Sequence, residues 1–304
     1  MDLVDKTIMV EICANCRVSY ETLARKTGIS SNAVKRRVDS LLKSGTISRF
    51  SVSLVPAMLG AEYFLALITT DGTETIDPFV SRLGEHPAIG HVSLLASAGG
   101  GAYLVWGQYM GSTMLMELRA FLTAPDEVNN VELHTLVRKP SRKTELPRLH
   151  LRILSVLKTN PRMPLNDIAK ELGLAPKTVR RGLREMMEDG AVSLTARPDM
   201  ATGKLVNFYV RFEWDEKMKT MEEMLAWLDG QYPVELWDPT PTVSGPIFFS
   251  EFVVDNLHKA ERIARQIRDA PFVKSTATLV SYSNQKFPYY AETMLDEMIR
   301  ESET

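Results

Sequence analysis

The stretch NCRVSYETLARKTGISSNAVKRRV, residues 15–38, returns 145 positions later as NPRMPLNDIAKELGLAPKTVRRGL, residues 160–183, and the two align without a gap. Asn15, Arg17, Ala24, Gly28, Val34 and Arg36 recur as Asn160, Arg162, Ala169, Gly173, Val179 and Arg181. Each copy reads as three helices. Residues 4–14 and 149–158 carry apolar side chains at helical spacing, such as Ile8 with Ile12 and Leu151 with Leu154. A second helix follows a short polar stretch and stops at Gly28 or Gly173, because a glycine just past the last turn readily takes the left-handed conformation. Two or three residues later Ser30 or Ser31 can cap a third helix, and Pro176 stands at the corresponding first turn of copy two. Helix, tight turn, helix is the expected result.

The third helix carries the chemistry. At 100° per residue Val34, Val38, Leu41 and Leu42 fall in one arc and are the expected core stripe. Opposite them lie Asn32, Arg36, Asp39 and Lys43, flanked by Lys35 and Arg37. In copy two Val179, Leu183, Met186 and Met187 face inward while Lys177, Arg181 and Arg184 face outward, with Arg180 beside them. Donors crowd the N-terminal half of an exposed helix, the half that enters a major groove in helix-turn-helix proteins. The expected DNA contacts are Ser31, Asn32, Lys35, Arg36, Arg37 and Lys43 in copy one, and Lys177, Thr178, Arg180, Arg181 and Arg184 in copy two. Residues 47–55 and 192–197 then read as wing strands.

Charge is segregated to match. Residues 3–50 carry 9 Lys/Arg against 4 Asp/Glu, and residues 148–197 carry 10 against 5. Residues 51–137 carry 2 against 9, and residues 198–304 carry 11 against 18. A net charge of −2 thus hides two basic islands, each followed by an acidic region, and a polyanion is the natural partner of the islands.

GISSNAVKRRVDSLLKSGTI, residues 28–47, resembles the recognition-helix signature of the Lrp/AsnC regulators: a serine start, Val34, arginine three later, leucine four after that, then Gly-x-Ile. The continuation SRFSVSLVPAMLGAEYFLALI, with Pro56 and Leu59-Gly60 before a strand, is similar to that family as well. Copy two departs from the pattern at Gly182, where copy one has Arg37, and in its longer RPDMATGKLVNFYV link. After each winged module the chain reads strand, helix, strand, strand, helix, strand. The pieces are 63–69, 76–85, 90–96, 103–109, 113–122 and 128–137, then 206–213, 218–228, 234–237, 247–254, 257–268 and 273–282. This is the ferredoxin-like βαββαβ plan. The expected fold is therefore α+β, with two winged helix-turn-helix domains (1–55 and 148–200) alternating with two ferredoxin-like βαββαβ domains (60–138 and 204–304, the latter with a C-terminal helix) and a basic linker at 139–147.

The resemblance implies a sequence-specific transcriptional regulator that binds double-stranded DNA, dimerises through its sheets and responds to a small effector such as an amino acid. In the family the effector lies near a glycine-bearing loop, here SAGGGAYL with Gly99, Gly100 and Gly101. In the counterpart TVSGPIFF, Pro246 removes an N–H that a carboxylate ligand could use, so if one effector site survives per chain the first half is its expected place. Sheet faces left apolar by this plan must find a partner, either a second chain or each other.

Other signals are bland. Cys13 and Cys16 form a CxxC without a second pair or nearby histidine, and the histidines at 86, 91, 134, 150 and 258 show no metal spacing. The glycine run lacks the Lys-Ser/Thr of a P-loop. No apolar run approaches the roughly 18 residues that span a bilayer, and the N-terminus lacks a signal-peptide core, so a cytoplasmic protein without cofactor or metal is expected. Siroheme decarboxylases resemble the same combination of domains, but their His-Asn-Tyr-x-Arg run is absent after His91, and an enzyme is not expected. A small-molecule sensor that no longer binds DNA is a further alternative, against which the basic helix faces argue.

Overall fold

The computed structural model describes residues 1–137, 145–200 and 205–303, so most of the basic linker and part of the second link lie outside the described residues. In chain order the first winged module comprises α1 (Leu3–Ala14), α2 (Tyr20–Thr27), α3 (Ser31–Lys43) and β1 (Ile47–Leu54), followed by a 3-10 turn at Pro56–Leu59. Next come β2 (Ala61–Thr70), α4 (Ile76–Leu83), β3 (Ile89–Leu95), β4 (Ala102–Met110), α5 (Gly111–Thr123) and β5 (Val128–Thr135). The second winged module has α6 (Arg148–Thr159), α7 (Leu165–Leu172), α8 (Pro176–Glu188) and β6 (Val192–Pro198). It is followed by β7 (Val206–Trp214), α9 (Met221–Gln231), β8 (Leu236–Asp238), β9 (Ile247–Val254), α10 (Leu257–Arg268), β10 (Val273–Lys286) and α11 (Tyr290–Glu303). The chain gathers these into two compact units, one with both winged modules and α11, the other with both βαββαβ motifs.

In the winged unit the helix ends follow their local chemistry. Ser19 accepts from the Thr22 N–H and Ser30 from the Ala33 N–H, while Gly28 and Gly173 close α2 and α7 at φ +70° and +66°. The two wings pair with each other: β1 runs antiparallel to β6, with Phe50 opposite Ala196 and Leu54 opposite Val192. The modules interlock around this ribbon. The Cys16 N–H donates to Leu194 O at 2.7 Å, Thr195 Oγ1 to Cys13 O at 2.7 Å, and Arg17 to Pro161 O at 2.8 Å. The Arg162 guanidinium lies 5.0 Å from the Tyr20 ring centre and 5.1 Å from that of Phe50. The terminal helix α11, expected from the sequence to belong with the second ferredoxin-like domain, packs in this unit and buries Ala291, Leu295 and Ile299. Its Glu292 meets Arg197 at 2.5 Å and Arg49 at 3.9 Å, and its Asp296 pairs with Lys158.

In the other unit the two half-sheets join into one eight-stranded sheet of order β5-β2-β4-β3-β10-β7-β9-β8. The join is the antiparallel pair β3–β10, with Asn284 opposite Ser93. Residues just past β10 complete the exchange: the Phe287 and Tyr289 rings lie where a Cβ on Gly84 or Gly90 would stand, at 2.0 and 2.3 Å. At the far ends Leu136 bridges Thr242, the Val137 N–H donates to Pro241 O, and the Val243 N–H donates to Thr135 O. The sheet thus bends back and closes on itself. Each half has a core beneath its helices, built on Phe64, Phe79 and Val105 in the first and on Phe208, Phe248 and Phe252 in the second. A third apolar layer, with Leu65, Leu95, Leu104, Tyr209 and Phe249, fills the space between the opposite faces. The faces the sequence leaves apolar are therefore buried against each other within one chain, at about 25 cal/mol per Å² of apolar surface removed from water.

Candidate nucleic-acid interface

The third helix of each winged module presents the expected face, with differences the repeat did not disclose. In α3, Val34 and Val38 are fully buried and Leu41 is 9% exposed, while Leu42, expected in the core stripe, is 37% exposed. One position beyond Leu41 rotates it 100° away, to the edge of the buried stripe. Ser31, Asn32, Lys35 and Arg36 lie in the first turns, all but Ser31 exposed, with Lys43 in the last turn. Neither Lys35, Arg36 nor Lys43 has an ion-pair partner among the described residues.

Arg37 is engaged differently. It donates to Asp2 Oδ1 and Oδ2 at 3.0 and 2.9 Å and to Asp5 Oδ1 at 2.7 Å. Asp2 and Asp5 are also the capping box of α1. Arg37 therefore ties the start of α1 to the middle of α3. Copy two has no acidic residue in the first turn of α6, and there Gly182 replaces the arginine. The helices come close at that point: a Cβ on Gly182 would stand 3.0 Å from Ile153 Cδ1 and 3.3 Å from His150 Cδ2.

In α8 Lys177, Arg180, Arg181 and Arg184 are exposed and Thr178 is half-buried. Arg181 Nε lies 2.7 Å from Glu185 and Arg184 Nε 3.9 Å from Glu188, both pairs one turn apart. The cations of α8 are thus partly answered by carboxylates on their own helix, while Lys35, Arg36 and Lys43 of α3 are open to solvent. Two basic residues the sequence reading passed over sit on the ribbon, where Arg49 and Arg197 are direct cross-strand partners bridged by Glu292. The signal for them was an arginine in each wing strand, but only the pairing of the wings brings them together.

The glycine loop has a local explanation. Gly100 takes φ +79°, and a Cβ there would lie 2.0 Å from Thr70 O; one on Gly101 would lie 1.9 Å from Glu74 Oε1, while Gly99 is open. The loop is fastened by Thr70 N–H to Gly101 O at 3.0 Å and Gly101 N–H to Thr70 Oγ1 at 2.8 Å. Glu74 Oε1 accepts from Thr70 and Tyr103, and its buried Oε2 has no partner among the described residues. The counterpart loop in the second half is the segment that closes the sheet against β5.

Cys13 and Cys16 are free thiols, each pushed up to about 11 by burial. Glu132 is the opposite case. Burial alone would raise it, but hydrogen bonds from His134 and Arg211 outweigh burial and hold its carboxyl at about 2. Among the described residues no cluster of three or more His, Cys, Asp or Glu is disposed to hold a metal, and no helix is long and apolar enough to cross a membrane.

Comparison with known proteins agrees with this geometry. A family model described as winged helix-turn-helix DNA-binding matches twice, at residues 1–48 and 146–193. An uncharacterized HTH-type transcriptional regulator of Pyrococcus horikoshii is 36% identical over 78 residues, 26% of this chain and 48% of that protein. The HTH-type transcriptional regulator LrpA of the same organism is 32% identical over 71 residues, 23% of this chain and 48% of LrpA. The proline dehydrogenase transcriptional activator of Rhodobacter capsulatus is 29% identical over 108 residues, 34% of this chain and 69% of the activator. The chain thus spans about half the length of several of the curated relatives it matches. Among solved structures, the siroheme decarboxylase NirDL superposes with a TM-score of 0.56 over 99% of this chain and 100% of its own, at 16% identity, a likeness of fold. With two matched winged helix-turn-helix DNA-binding modules, each followed by a βαββαβ motif, the chain carries the same unit twice and is similar in sequence to HTH-type transcriptional regulators such as LrpA.

Proposed function

We propose that this chain is a sequence-specific DNA-binding transcriptional regulator that acts in the cytoplasm, catalyses no reaction, and presents two unlike readers from one polypeptide. The observation that carries this reading is the first half of α3, where Asn32, Lys35 and Arg36 stand exposed with no ion-pair partner among the described residues. Asparagine suits a bidentate contact to adenine, and arginine or lysine suits guanine, while the remaining cations neutralise phosphates. Alignment sets Asn32 against Lys177 and Asp39 against Arg184, so the two helices read different bases, and one chain prefers a non-palindromic pair of half-sites. A palindromic operator then requires a second chain, and a homodimer is part of the proposal.

The test is a salt titration on duplex DNA. Each basic island has an excess of five positive charges. At about −0.9 per phosphate neutralised, the log–log slope should be on the order of −4 or steeper. A flat slope, or no binding at low salt, refutes the reading. Random-duplex selection tests the asymmetry: Arg36→Ala and Arg181→Ala should relax preference at positions that symmetry does not relate.

We further propose that a small effector such as an amino acid modulates binding from the loop of Gly99, Gly100 and Gly101, where the unpartnered Glu74 Oε2 offers an acceptor for an ammonium group. A screen of amino acids for a change in DNA affinity, repeated with Glu74→Gln, tests it. The full-length likeness of fold to a siroheme decarboxylase supports a second reading, an enzyme acting on a tetrapyrrole. A saturable shift of the tetrapyrrole's visible band on titration with an iron uroporphyrin, followed by release of CO2 with a proton taking its place on the side-chain carbon, would favour it over the regulator.

A further inference from the structure

At one end of the layer between the two half-sheets, apolar packing gives way to side chains with polar ends. Asn207 and Tyr209 come from β7, Glu251 from β9, Asp238 from β8, and Ser93 and Trp106 from β3 and β4. Tyr209 and Glu251 are direct cross-strand partners, as are Glu251 and Asp238. The Tyr209 hydroxyl stands 3.5 Å from Glu251 Oε1. Asn207 lies close enough to Glu251 and Tyr209 to act on both, and Ser93 reaches towards Tyr209 from the other half-sheet. Ser93, Tyr209 and Asn207 are 1%, 2% and 5% exposed. Glu251 keeps some solvent contact along the side chain, although its carboxyl lies deep in the protein.

This cluster is incomplete. Asn207 belongs to it, yet its Oδ1 is buried with no hydrogen-bond partner among the described residues. The indole Nε1 of Trp106 is likewise unpartnered among the described residues, and the Trp106 and Tyr209 side chains lie beside each other with ring centres 6.2 Å apart. Buried polar atoms in a native protein nearly always have partners, and an orphaned acceptor among acids calls for a donor that carries positive charge. A divalent metal is ordinarily held by several charged ligands, and among the described residues no group of three or more His, Cys, Asp or Glu is disposed to hold one. A protonated primary amine presents three N–H donors, and aromatic faces attract its charge.

We propose that this end of the layer binds a small primary ammonium cation, with its N–H groups received by Asn207 Oδ1, Glu251 and the Tyr209 oxygen and its charge faced by the Tyr209 and Trp106 rings. The site is separate from the glycine loop, and it does not rest on the DNA-binding reading. Binding exchanges one cation for another. Burial, reinforced by the neighbouring Asp238, raises the Glu251 carboxyl to about 7, so below neutrality that group holds a proton. An entering ammonium forms an ion pair with the carboxylate and the proton leaves to solvent, which keeps charge balanced. The other charged or titratable groups facing Glu251 are Asp238 on β8, Tyr209 on β7 and Lys286 on β10, and His91 on β3 is the cross-strand partner of Lys286.

The experiment uses the full chain with methylammonium chloride, and with sodium, potassium and tetramethylammonium chlorides at equal ionic strength as comparisons. Methylammonium is expected to raise the melting midpoint saturably and to change tryptophan fluorescence, and the other salts are expected to do neither. Its apparent affinity should strengthen up to about tenfold per pH unit until about pH 7 and then level off. Glu251→Gln and Asn207→Ala should each weaken it by at least about tenfold. Equal responses to sodium or potassium overturn the proposal, as does an undiminished methylammonium response in a folded Glu251→Gln. Should that variant not fold, calorimetry of the unaltered chain at pH 6 in two buffers of unlike ionisation enthalpy decides: close to one proton released per methylammonium supports the site, and none overturns it.

Discussion

Arg36 and Arg37 are neighbours that a sequence treats alike, and replacing each by alanine should separate reading from anchoring. Arg36 stands on the outward face of α3 with no partner among the described residues, so Arg36→Ala should change stability by no more than about 0.5 kcal/mol. If Arg36 touches a base edge, the same change should cost about 1–3 kcal/mol of discrimination, roughly 5- to 150-fold in the preference for a selected duplex over a scrambled one. Arg37 makes three bonds to Asp2 and Asp5 at 2.7–3.0 Å. Its side chain is 35% exposed and those of Asp2 and Asp5 are 54% and 21% exposed, so solvent screens the pairs. The loss on Arg37→Ala should therefore be nearer about 1 kcal/mol than the several expected of a buried network, a fall of roughly 2–4 °C in melting temperature. Thermal unfolding and competition fluorescence anisotropy at one fixed salt concentration measure both quantities on the same samples. If Arg37→Ala loses discrimination as fully as Arg36→Ala while melting like the unaltered chain, the assignment of Arg37 to α1 is wrong.

Gly182→Arg, which restores the pattern of copy one, should destabilise the winged unit by on the order of 3 kcal/mol or more, because the side chain would be forced against Ile153 and His150 and the first turn of α6 carries no acid like those that meet Arg37; a melting temperature equal to that of the unaltered chain would contradict the close approach of α6 and α8. The folded pKa of Glu251 lies above its ordinary value, so its contribution to stability is fully present below about pH 4.5 and lost as pH rises through about 7. Glu132 is depressed to about 2, so its contribution is present above about pH 4.5 and lost as pH falls towards 2. Glu251→Gln should remove the first slope in denaturant melts and Glu132→Gln the second, each leaving the other in place. Cys13 and Cys16, both raised to about 11, should resist alkylation at pH 8 in the native protein and react only on unfolding, and prompt labelling of both would count against their burial.

Much of the winged modules was legible because their signals are local. A 3.6-residue period, a serine before a helix and a glycine after it act within a few residues, and the duplication showed each of them twice. The order of strands and helices in the βαββαβ motifs was readable for the same reason, though β8 falls at Leu236–Asp238 rather than 234–237 because its pairing with β9 shifts register there. The exposure of Leu42 was not legible. An arc says which residues share a side, but whether a neighbouring element reaches the edge of that side depends on packing.

Tertiary structure alone decided how the two copies use each other. The pairing of β1 with β6, the join of β3 to β10 and the closure of β5 on the 241–243 segment link residues more than 100 positions apart. No periodicity specifies such contacts, because period 2 names the face of a strand and not the strand beside it. The same holds for α11, whose apolar stripe fits either unit by pattern and whose Glu292 finds Arg197 and Arg49 only once the wings are paired. It holds for the two loops that look like counterparts, one seated on Thr70 and the other closing a sheet. Residues 15–38 and their repeat determined what kind of modules this chain carries; the burial of two apolar sheet faces against each other decided that the pair would be satisfied within a single chain.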